Sequence, residues 1–290
     1  MSRIIIIAIL ICTIFGCKKT PAPVVPPVII DTPQLVPSYD HVVILILENK
    51  PSENIIGSAS APFINSLVAK SANFLQSYAI EHPSQPNYLD LYSGSNQGVT
   101  DNSVPASKFT TPNLGSQLLA KNKTFVTYSE DMPSVGYDEK AIANYVRKHN
   151  PAANWMGTGQ NQIPATTNQP FTAFPSDFTK LPTVSYVIPN LRHDMHDGTI
   201  EQGDTWVKNN LEAFITWAAT NNSLFILTFD EDDSNFNNHI ATFFVGQKIK
   251  KGEYFTKINH FTVLRTLEDM YKLPYAGAAA QETSIINCWE

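Results

Sequence analysis

The chain has 290 residues, of which 43% are hydrophobic, and a formal net charge of −6 at pH 7. This length and apolar content suit one large α/β domain or at most two smaller ones. The sequence contains no basic run and no basic patch interleaved with aromatic residues. Together with the acidic balance, this argues against nucleic acid as a partner.

The first residues have the features of an export signal. Arg3 precedes an apolar stretch over residues 4–14, and Ile14-Phe15-Gly16-Cys17 is similar to a bacterial lipobox. We expect residues 1–16 to be a signal peptide and Cys17 to be lipidated, which mass spectrometry of the mature N-terminus would show. The chain would then be an exported lipoprotein of a bacterial cell envelope, on a periplasmic or outer-membrane face. A plain signal peptide or an uncleaved anchor is the alternative.

Residues 17–38 combine the lipidated cysteine with a proline-rich tether. Six prolines lie between residues 18 and 37, and no helical period accompanies them. Such a segment favours an extended linker between a membrane anchor and a folded domain. We assign residues 39–290 to that domain, in which Cys288 is the one cysteine.

Within the domain, strand and helix patterns alternate. The sequence predicts strands at 41–47, 124–128, 183–188, 224–229 and 240–245, and helices at 61–72, 86–92, 114–121, 138–148, 206–219 and 261–271. The apolar runs at 41–47 and 224–229 are typical of strands buried on both faces of a parallel sheet. The alternation predicts an α/β fold, a three-layer sandwich with a mostly parallel central sheet.

Both long strands end in side chains that bind metal ions. Glu48 and Asn49 follow the first strand, and Asp230 and Glu231 follow the strand at 224–229. Ligands of open α/β sheets bind outside the carboxyl ends of the strands. Three carboxylates that meet there with an amide oxygen repel one another and lose hydration, and a divalent cation is the simplest compensation.

Ser84 is the candidate nucleophile. Pro83 and Pro86 flank it, and Pro86 can occupy the first turn of the following helix. The hydroxyl would then lie at a helix N-terminus, where free amides and the helix dipole favour an anion. A serine that touches a cation there can ionise and attack phosphorus. The alternative is a simple helix cap, a common role for serine.

Four segments together resemble a known family. They are Glu48-Asn49, Pro83-Ser84-Gln85-Pro86-Asn87-Tyr88, Asp194-Met195-His196, and Asp230-Glu231 followed by Asn238-His239. Their order over residues 40–275 resembles the phosphoesterase family of bacterial acid phosphatases and phospholipases C, in the alkaline phosphatase superfamily. The resemblance implies an alkaline-phosphatase-like fold and hydrolysis of phosphoric esters.

The resemblance also implies roles for the matching residues. The implied metal ligands are Glu48, Asn49, Ser84, Asp230 and Glu231. The implied catalytic residues are Ser84 as nucleophile, His196 near the leaving group, and His239 of a final Asp-His motif in which Asn238 replaces the usual Asp. The candidate substrate-binding residues are Asn87, His82 and His193.

Several other polar residues are expected to matter less. His149 has a family-like setting but can equally be a packing residue. Asp232 and Asp233 are interpreted as solvated loop acids, and His41 and His260 as unrelated to the chemistry.

An all-oxygen ligand set favours one hard divalent cation such as Ca²⁺, Mg²⁺ or Mn²⁺ over Zn²⁺. A second metal held by Asp194, His196 and His239 stays open, as do histidines that bind phosphate in their protonated form.

We therefore predict an acid phosphatase that acts on monoesters through a phosphoseryl intermediate. Its substrate would be a small phosphorylated compound or a phospholipid head group. Monoesters are favoured because the domain is short and lacks the additional C-terminal domains of many phospholipases C. Phospholipase C or phosphodiesterase activity is the first alternative, and a non-catalytic surface lipoprotein that binds a ligand is the second.

Overall fold

The computed structural model describes residues 35–290. The predicted signal peptide, Cys17 and nearly all of the tether lie outside the described residues. The strands are β1 His41–Leu47, β2 Ala72–Phe74, β3 Ser77–Tyr78, β4 Phe125–Ser129, β5 Ala141–Ile142, β6 Tyr145–Val146, β7 Asn168–Pro170, β8 Val184–Ile188, β9 Ser223–Phe229, β10 Thr242–Gly246, β11 Gly252–Tyr254 and β12 Ile258–Asn259. The α-helices are α1 Ser52–Ile55, α2 Pro62–Val68, α3 Ser84–Ser93, α4 Leu114–Ala120, α5 Ile200–Ala218 and α6 His260–Tyr271. Short 3₁₀ turns cover Arg147–His149, Pro151–Trp155, Ala165–Thr167, Phe171–Ala173, Phe178–Lys180 and Gly277–Gln281.

Eight strands form the central sheet, in the order β11-β2-β10-β9-β1-β8-β4-β7. Every neighbouring pair is parallel except the two pairs that involve β10. The strands therefore run in one direction except for β10, and the predicted mostly parallel sheet is confirmed.

Side chains alternate along the central strands and supply two separate cores. On β1, Val42, Ile44 and Ile46 pack with α3, α4 and α6 on one face of the sheet. Val43 and Leu45 pack with α2 and α5 on the other face. Both faces of the sheet are covered by helices, so the three-layer α/β architecture predicted from the sequence is confirmed.

The register of the two central strands fixes the position of the acidic residues that follow them. Leu47 of β1 pairs with Phe229 of β9. Since these strands are adjacent and parallel, Glu48 and Asp230 leave the sheet side by side at the same edge. The backbone amide of Asp230 donates to the carbonyl of Leu47 at 2.9 Å, which continues the pairing by one residue.

The helix predicted at 138–148 was wrong. This segment forms the hairpin of β5 and β6, with Ala143 in a left-handed conformation at φ 49°. The buried Arg147 donates to Asn154 at 2.8 Å and pairs with Asp138 at 3.0 Å. These tertiary contacts outweigh a helical pattern that was weak in itself.

Helix α5 begins at Ile200, earlier than the predicted start at residue 206. Thr199 is the cap, in a capping box with Gln202. Within α5, the buried carboxylate of Asp204 accepts hydrogen bonds from the backbone amides of Phe63 and Ile64, at 3.1 Å and 2.7 Å. This carboxylate therefore supplies hydrogen-bond acceptors for the free backbone amides at the N-terminus of α2.

No helix within residues 35–290 is long and apolar enough to cross a membrane.

Helix α3 is buried along its whole length although it carries several polar side chains. One of these, Asp90, faces the carboxyl group of Glu81 in the loop before the helix. Burial, and then the negative charge of Glu81, raise the pKa of Asp90 to about 8. Asp90 thus keeps a proton at neutral pH, and this proton allows a hydrogen bond between the two carboxyl groups.

This pair predicts a stability that depends on pH. Because the folded-state pKa of Asp90 lies above its unfolded value, the folded protein loses stability as pH rises from about 4 to about 8. Asp90→Asn mimics the protonated form, so we expect its stability advantage over wild type to grow across that range. Urea unfolding of both proteins at several pH values measures this difference.

Glu212→Gln, on the exposed face of α5, is the control and should follow the wild-type profile. If the profiles of Asp90→Asn and wild type ran parallel from pH 4 to 8, Asp90 would not be protonated in the folded state.

Candidate active site

The two central strands bring their acidic residues together as the register requires. Glu48 and Asp230 are both buried. The backbone amide of Asn49 donates to Asp230 Oδ1 at 2.9 Å. Asp230 Oδ2 is buried and has no hydrogen-bond partner among residues 35–290. One carboxylate oxygen is thus held by the backbone, and the other is left available to a ligand.

Ser84 lies against these carboxylates at the start of α3. It is the first residue of the helix, and Pro83 occupies the capping position. The Ser84 hydroxyl is buried, and it lies 3.0 Å from Glu48 Oε2 and 3.1 Å from Glu231 Oε1. It is therefore not a helix cap. Its oxygen is at a helix N-terminus, between two groups that can take its proton.

His149 joins the cluster from the 3₁₀ turn after β6. Its Nε2 lies 3.0 Å from Glu48 Oε1, and its Nδ1 lies 3.2 Å from Asp194 Oδ2. The imidazole stacks on Tyr88 of α3, with 5.2 Å between ring centroids. The backbone amide of Glu48 donates to the carbonyl of Asp194 at 2.8 Å, which holds Asp194 next to Glu48.

Burial makes the charged forms of these groups costly. It raises the pKa of Glu48 to about 8, and the charge of Asp194 adds to that rise. Burial also raises the pKa of Asp194 and of Asp230 well above the usual value. It lowers the pKa of His149 well below 6.5, so that imidazole is neutral at neutral pH.

These protonation states bear on whether the site fits a metal ion. A neutral imidazole has a single N–H, yet both nitrogens of His149 face a carboxylate, and neither makes a well-aligned hydrogen bond. The ligand atoms of Glu48, His149 and Asp194 all lie within 4.8 Å of one another and could hold a metal ion. A cation would compensate the same charges that otherwise require protonated carboxyl groups, so the residues fit a metal.

Two histidines lie at the rim of this cluster. His82, half exposed, contacts Glu231 Oε2 through Nδ1 at 2.6 Å. His196 contacts Asp197 Oδ1 through Nδ1 at 2.7 Å, and its ring centroid is 6.0 Å from that of His149. The backbone amide of His196 also donates to Asp194. Each ring thus lies beside a member of the cluster, His82 beside Glu231 and His196 beside His149.

The structure does not bring every proposed site residue to this cluster. His239 contacts Glu53 and the carbonyl of Leu75, at 2.8 Å and 2.9 Å. His193 contacts Glu130 at 2.9 Å and stacks on Trp206. Neither ring contacts the carboxylates at the strand ends.

Asn49 and Asn87 support the site through other contacts than the predicted ones. The side-chain oxygen of Asn49 accepts from Lys50, so it is the backbone amide of Asn49 that reaches Asp230. Asn87 is fully buried, accepts from the amides of Ile80 and Glu81, and donates to the carbonyl of Glu81. It therefore braces the loop that leads to Ser84.

Three residues contribute more than the sequence suggested. His149 is a central member of the cluster, and a histidine before Asn150-Pro151 was the one available signal. The buried His260 donates to the carbonyl of Asp230 at 2.6 Å. Asp232 is buried rather than solvated, and its carboxylate accepts from the amides of Ser234, Phe236 and Asn238.

Comparison with known proteins identifies the family of this chain. The sequence profile of the Phosphoesterase family matches residues 58–274. The phosphatidylinositol-3-phosphatase of Mycobacterium tuberculosis is 46% identical over 255 residues, which cover 87% of this chain and 84% of that protein. The phosphate-repressible acid phosphatase of Penicillium chrysogenum is 30% identical, over 87% of this chain and 66% of that protein. The acid phosphatase of Aspergillus fumigatus is 28% identical, over 80% of this chain and 54% of that protein. The chain thus spans about half to two thirds of these two fungal relatives.

Solved structures show the same fold. A protein of the alkaline phosphatase superfamily from Vibrio parahaemolyticus aligns with a TM-score of 0.61 at 13% identity, over 87% of this chain and 72% of that one. The lipoteichoic acid synthase LtaP of Listeria monocytogenes aligns with a TM-score of 0.60 at 10% identity, over 87% and 76% of the two chains. The chain belongs to the Phosphoesterase family, has the fold of the alkaline phosphatase superfamily, and is a hydrolase of phosphoric esters.

Proposed function

We propose that this protein is a metal-dependent phosphatase that hydrolyses phosphate monoesters through a phosphoseryl intermediate. The observation that carries the proposal is the Ser84 hydroxyl, hydrogen-bonded to two carboxylates at the N-terminus of α3. The three relatives named above are all phosphatases, which favours monoesters over the phosphodiesterase alternative. The name of the mycobacterial relative supports a phosphorylated lipid head group as the substrate class.

In the first step, Ser84 Oγ attacks phosphorus and the bond from phosphorus to the ester oxygen breaks. The hydroxyl proton has two acceptors within hydrogen-bond distance, Glu48 Oε2 and Glu231 Oε1. The amides in the first turn of α3 favour negative charge developing near Ser84. Water then attacks the phosphoserine, phosphate leaves, and the serine oxygen regains a proton.

We assign to His196 the protonation of the leaving oxygen in the first step. Its Nδ1 contacts Asp197, which leaves Nε2 to face the substrate. His82 contacts Glu231 and orients that carboxylate toward Ser84. The two histidines thus serve different oxygens of the same reaction.

The residues that would hold the metal are Glu48, Asp230, Glu231 and Ser84, with His149 and Asp194 within reach of Glu48. When bound, a divalent cation lowers the pKa of the serine hydroxyl and offsets negative charge on the phosphate oxygens. The majority of oxygen ligands supports one hard cation, Ca²⁺, Mg²⁺ or Mn²⁺, and His149 is the one nitrogen ligand in the set.

The first prediction concerns the nucleophile. Ser84→Ala removes the covalent route, so kcat for nitrophenyl phosphate should fall by several orders of magnitude. Ser93→Ala, at the other end of α3, should keep wild-type turnover because Ser93 bonds only to carbonyls and Gln97. Wild type quenched in acid during turnover should carry phosphate on Ser84. An alanine variant with normal turnover would show that Ser84 is not the nucleophile.

The second prediction concerns the metal. Asp230→Asn should lower both metal content and activity, and a chelator should reproduce the loss in wild type. Asp233→Asn, in the exposed part of the same loop, is the matched control and should retain the metal.

Metal affinity should also depend on pH. Because the pKa of metal-free Glu48 is about 8, the ion must displace protons, and its affinity should rise as pH increases toward 8. Elemental analysis and metal titration at several pH values measure both effects. Full activity of a protein free of divalent metal would refute this assignment.

The third prediction concerns His196. His196→Ala should lower kcat most for substrates with alkyl leaving groups, which need a proton, and least for nitrophenyl phosphate. His193→Ala should affect both substrates little, because its ring contacts Glu130 and Trp206 away from the cluster. Equal losses of His196→Ala on both substrates would assign His196 to phosphate binding instead.

A further inference from the structure

A small cavity lies beside the start of α3 and is not part of the carboxylate cluster. Its volume is about 250 Å³, and its lining residues are Asn102, Val104, Lys140, Ala141, Val146 and Lys148. A cavity of this size accommodates a single ligand group rather than a whole drug-sized molecule.

The cavity is tied directly to the residue after the nucleophile. Asn102 Oδ1 accepts from the backbone amide of Gln85 at 3.1 Å. The Gln85 side chain in turn donates to the carbonyls of Asp101 and Ser103, at 3.0 Å and 2.7 Å. These bonds fix the loop that carries Asn102 against the N-terminus of α3, so the cavity has a constant position relative to Ser84.

Two lysines give the cavity its charge. Among residues 35–290, neither Lys140 nor Lys148 has a carboxylate within ion-pair distance. Lys108 and Arg147, from the same region, are both paired with Asp138. The carboxylate of Asp138 is therefore already paired with other cations, and two lysines that share one small cavity repel each other until an anion joins them.

Lys148 also connects the cavity to the reaction centre. It directly precedes His149, whose ring nitrogens lie 3.0 Å from Glu48 Oε1 and 3.2 Å from Asp194 Oδ2. The lining therefore meets the site at two points, through Lys148 next to His149 and through Asn102, which is bonded to the residue after Ser84.

We infer that this cavity binds a second phosphate group of the substrate, held by Lys140 and Lys148 while the first phosphate lies at Ser84. The substrate class is then a phosphate monoester that carries a second phosphate group. That second group is either the diester phosphate of a phosphoinositide or a further monoester phosphate. This inference rests on the proposed function and adds to it a preference for monoesters that carry a second phosphate.

The test compares three substrates that differ in the second phosphate. They are inositol 3-phosphate, inositol 1,3-bisphosphate, and a short-chain phosphatidylinositol 3-phosphate below its micelle concentration. Wild type should have the lowest KM for the two that carry a second phosphate. Lys140→Ala should raise those KM values about five- to tenfold, with kcat unchanged. Its KM for inositol 3-phosphate and for nitrophenyl phosphate should stay at the wild-type value.

Two further variants sharpen the result. Lys140→Arg should restore most of the affinity, and added salt should reduce the wild-type advantage because the contact is electrostatic. Lys257→Ala is the matched control, since Lys257 lines the other cavity beside the site, next to His82 and Asp232. Lys140 is exposed, so its substitution should leave the melting temperature unchanged.

An effect of Lys140→Ala on both bisphosphorylated substrates supports recognition of the phosphate group itself, and an effect on the lipid alone assigns the site to the diester. The inference is overturned if wild type shows no preference for a second phosphate, if Lys140→Ala affects all substrates equally, or if Lys257→Ala alone removes the preference. The proposed function fails separately, if wild type does not hydrolyse nitrophenyl phosphate at all.

Discussion

The structure depends on the repulsion between carboxylates that the sheet register forces together. Glu48 and Asp230 leave adjacent parallel strands at the same level, and Asp194 approaches from the loop after β8. All three are buried, so water cannot solvate their charges. The surrounding groups supply the compensation, through the amide of Asn49, the hydroxyl of Ser84 and the ring of His149. In the proposed function, a bound cation completes this compensation.

Helix α3 holds the Ser84 hydroxyl against these buried carboxylates. It is buried along its whole length, so Ser84 is placed by packing rather than by a mobile loop. Asn87 ties the preceding loop to the helix through the backbone of Ile80 and Glu81. Because these supports lock the rotamers and the backbone, the hydroxyl is held between its two acceptors before any substrate arrives.

A phosphate monoester is itself an anion, so a site rich in carboxylates must also present positive charge. The proposed cation, the N-terminus of α3 and Lys148 are sources of positive charge near the site. In the proposed reaction the first two act on the phosphate that reacts, whereas the charge of Lys148 lowers the pKa of Glu48 and of Glu231. In the inferred substrate complex, the separation of the basic cavity from the acidic centre lets the protein attract a substrate with two phosphates without neutralising the proposed metal ligands.

The sequence by itself determined the fold class, the family and the acidic strand ends. Continuous apolar runs at 41–47 and 224–229 specify buried parallel strands, and the residues directly after such strands must lie at the ligand-binding edge. The flanking prolines likewise placed Ser84 at a helix start. These inferences succeeded because they depend on local pattern and on chain direction alone.

Only the tertiary structure decided which histidines and asparagines meet the carboxylates. His149 lies in a turn directly after a hairpin that the sequence suggested was helical, and its position depends on the contacts of Arg147 with Asp138 and Asn154. His239 lies close in sequence to Asp230 but turns toward Glu53. Residue type and spacing cannot distinguish these outcomes, because the direction of a loop side chain is fixed by partners that are remote along the chain.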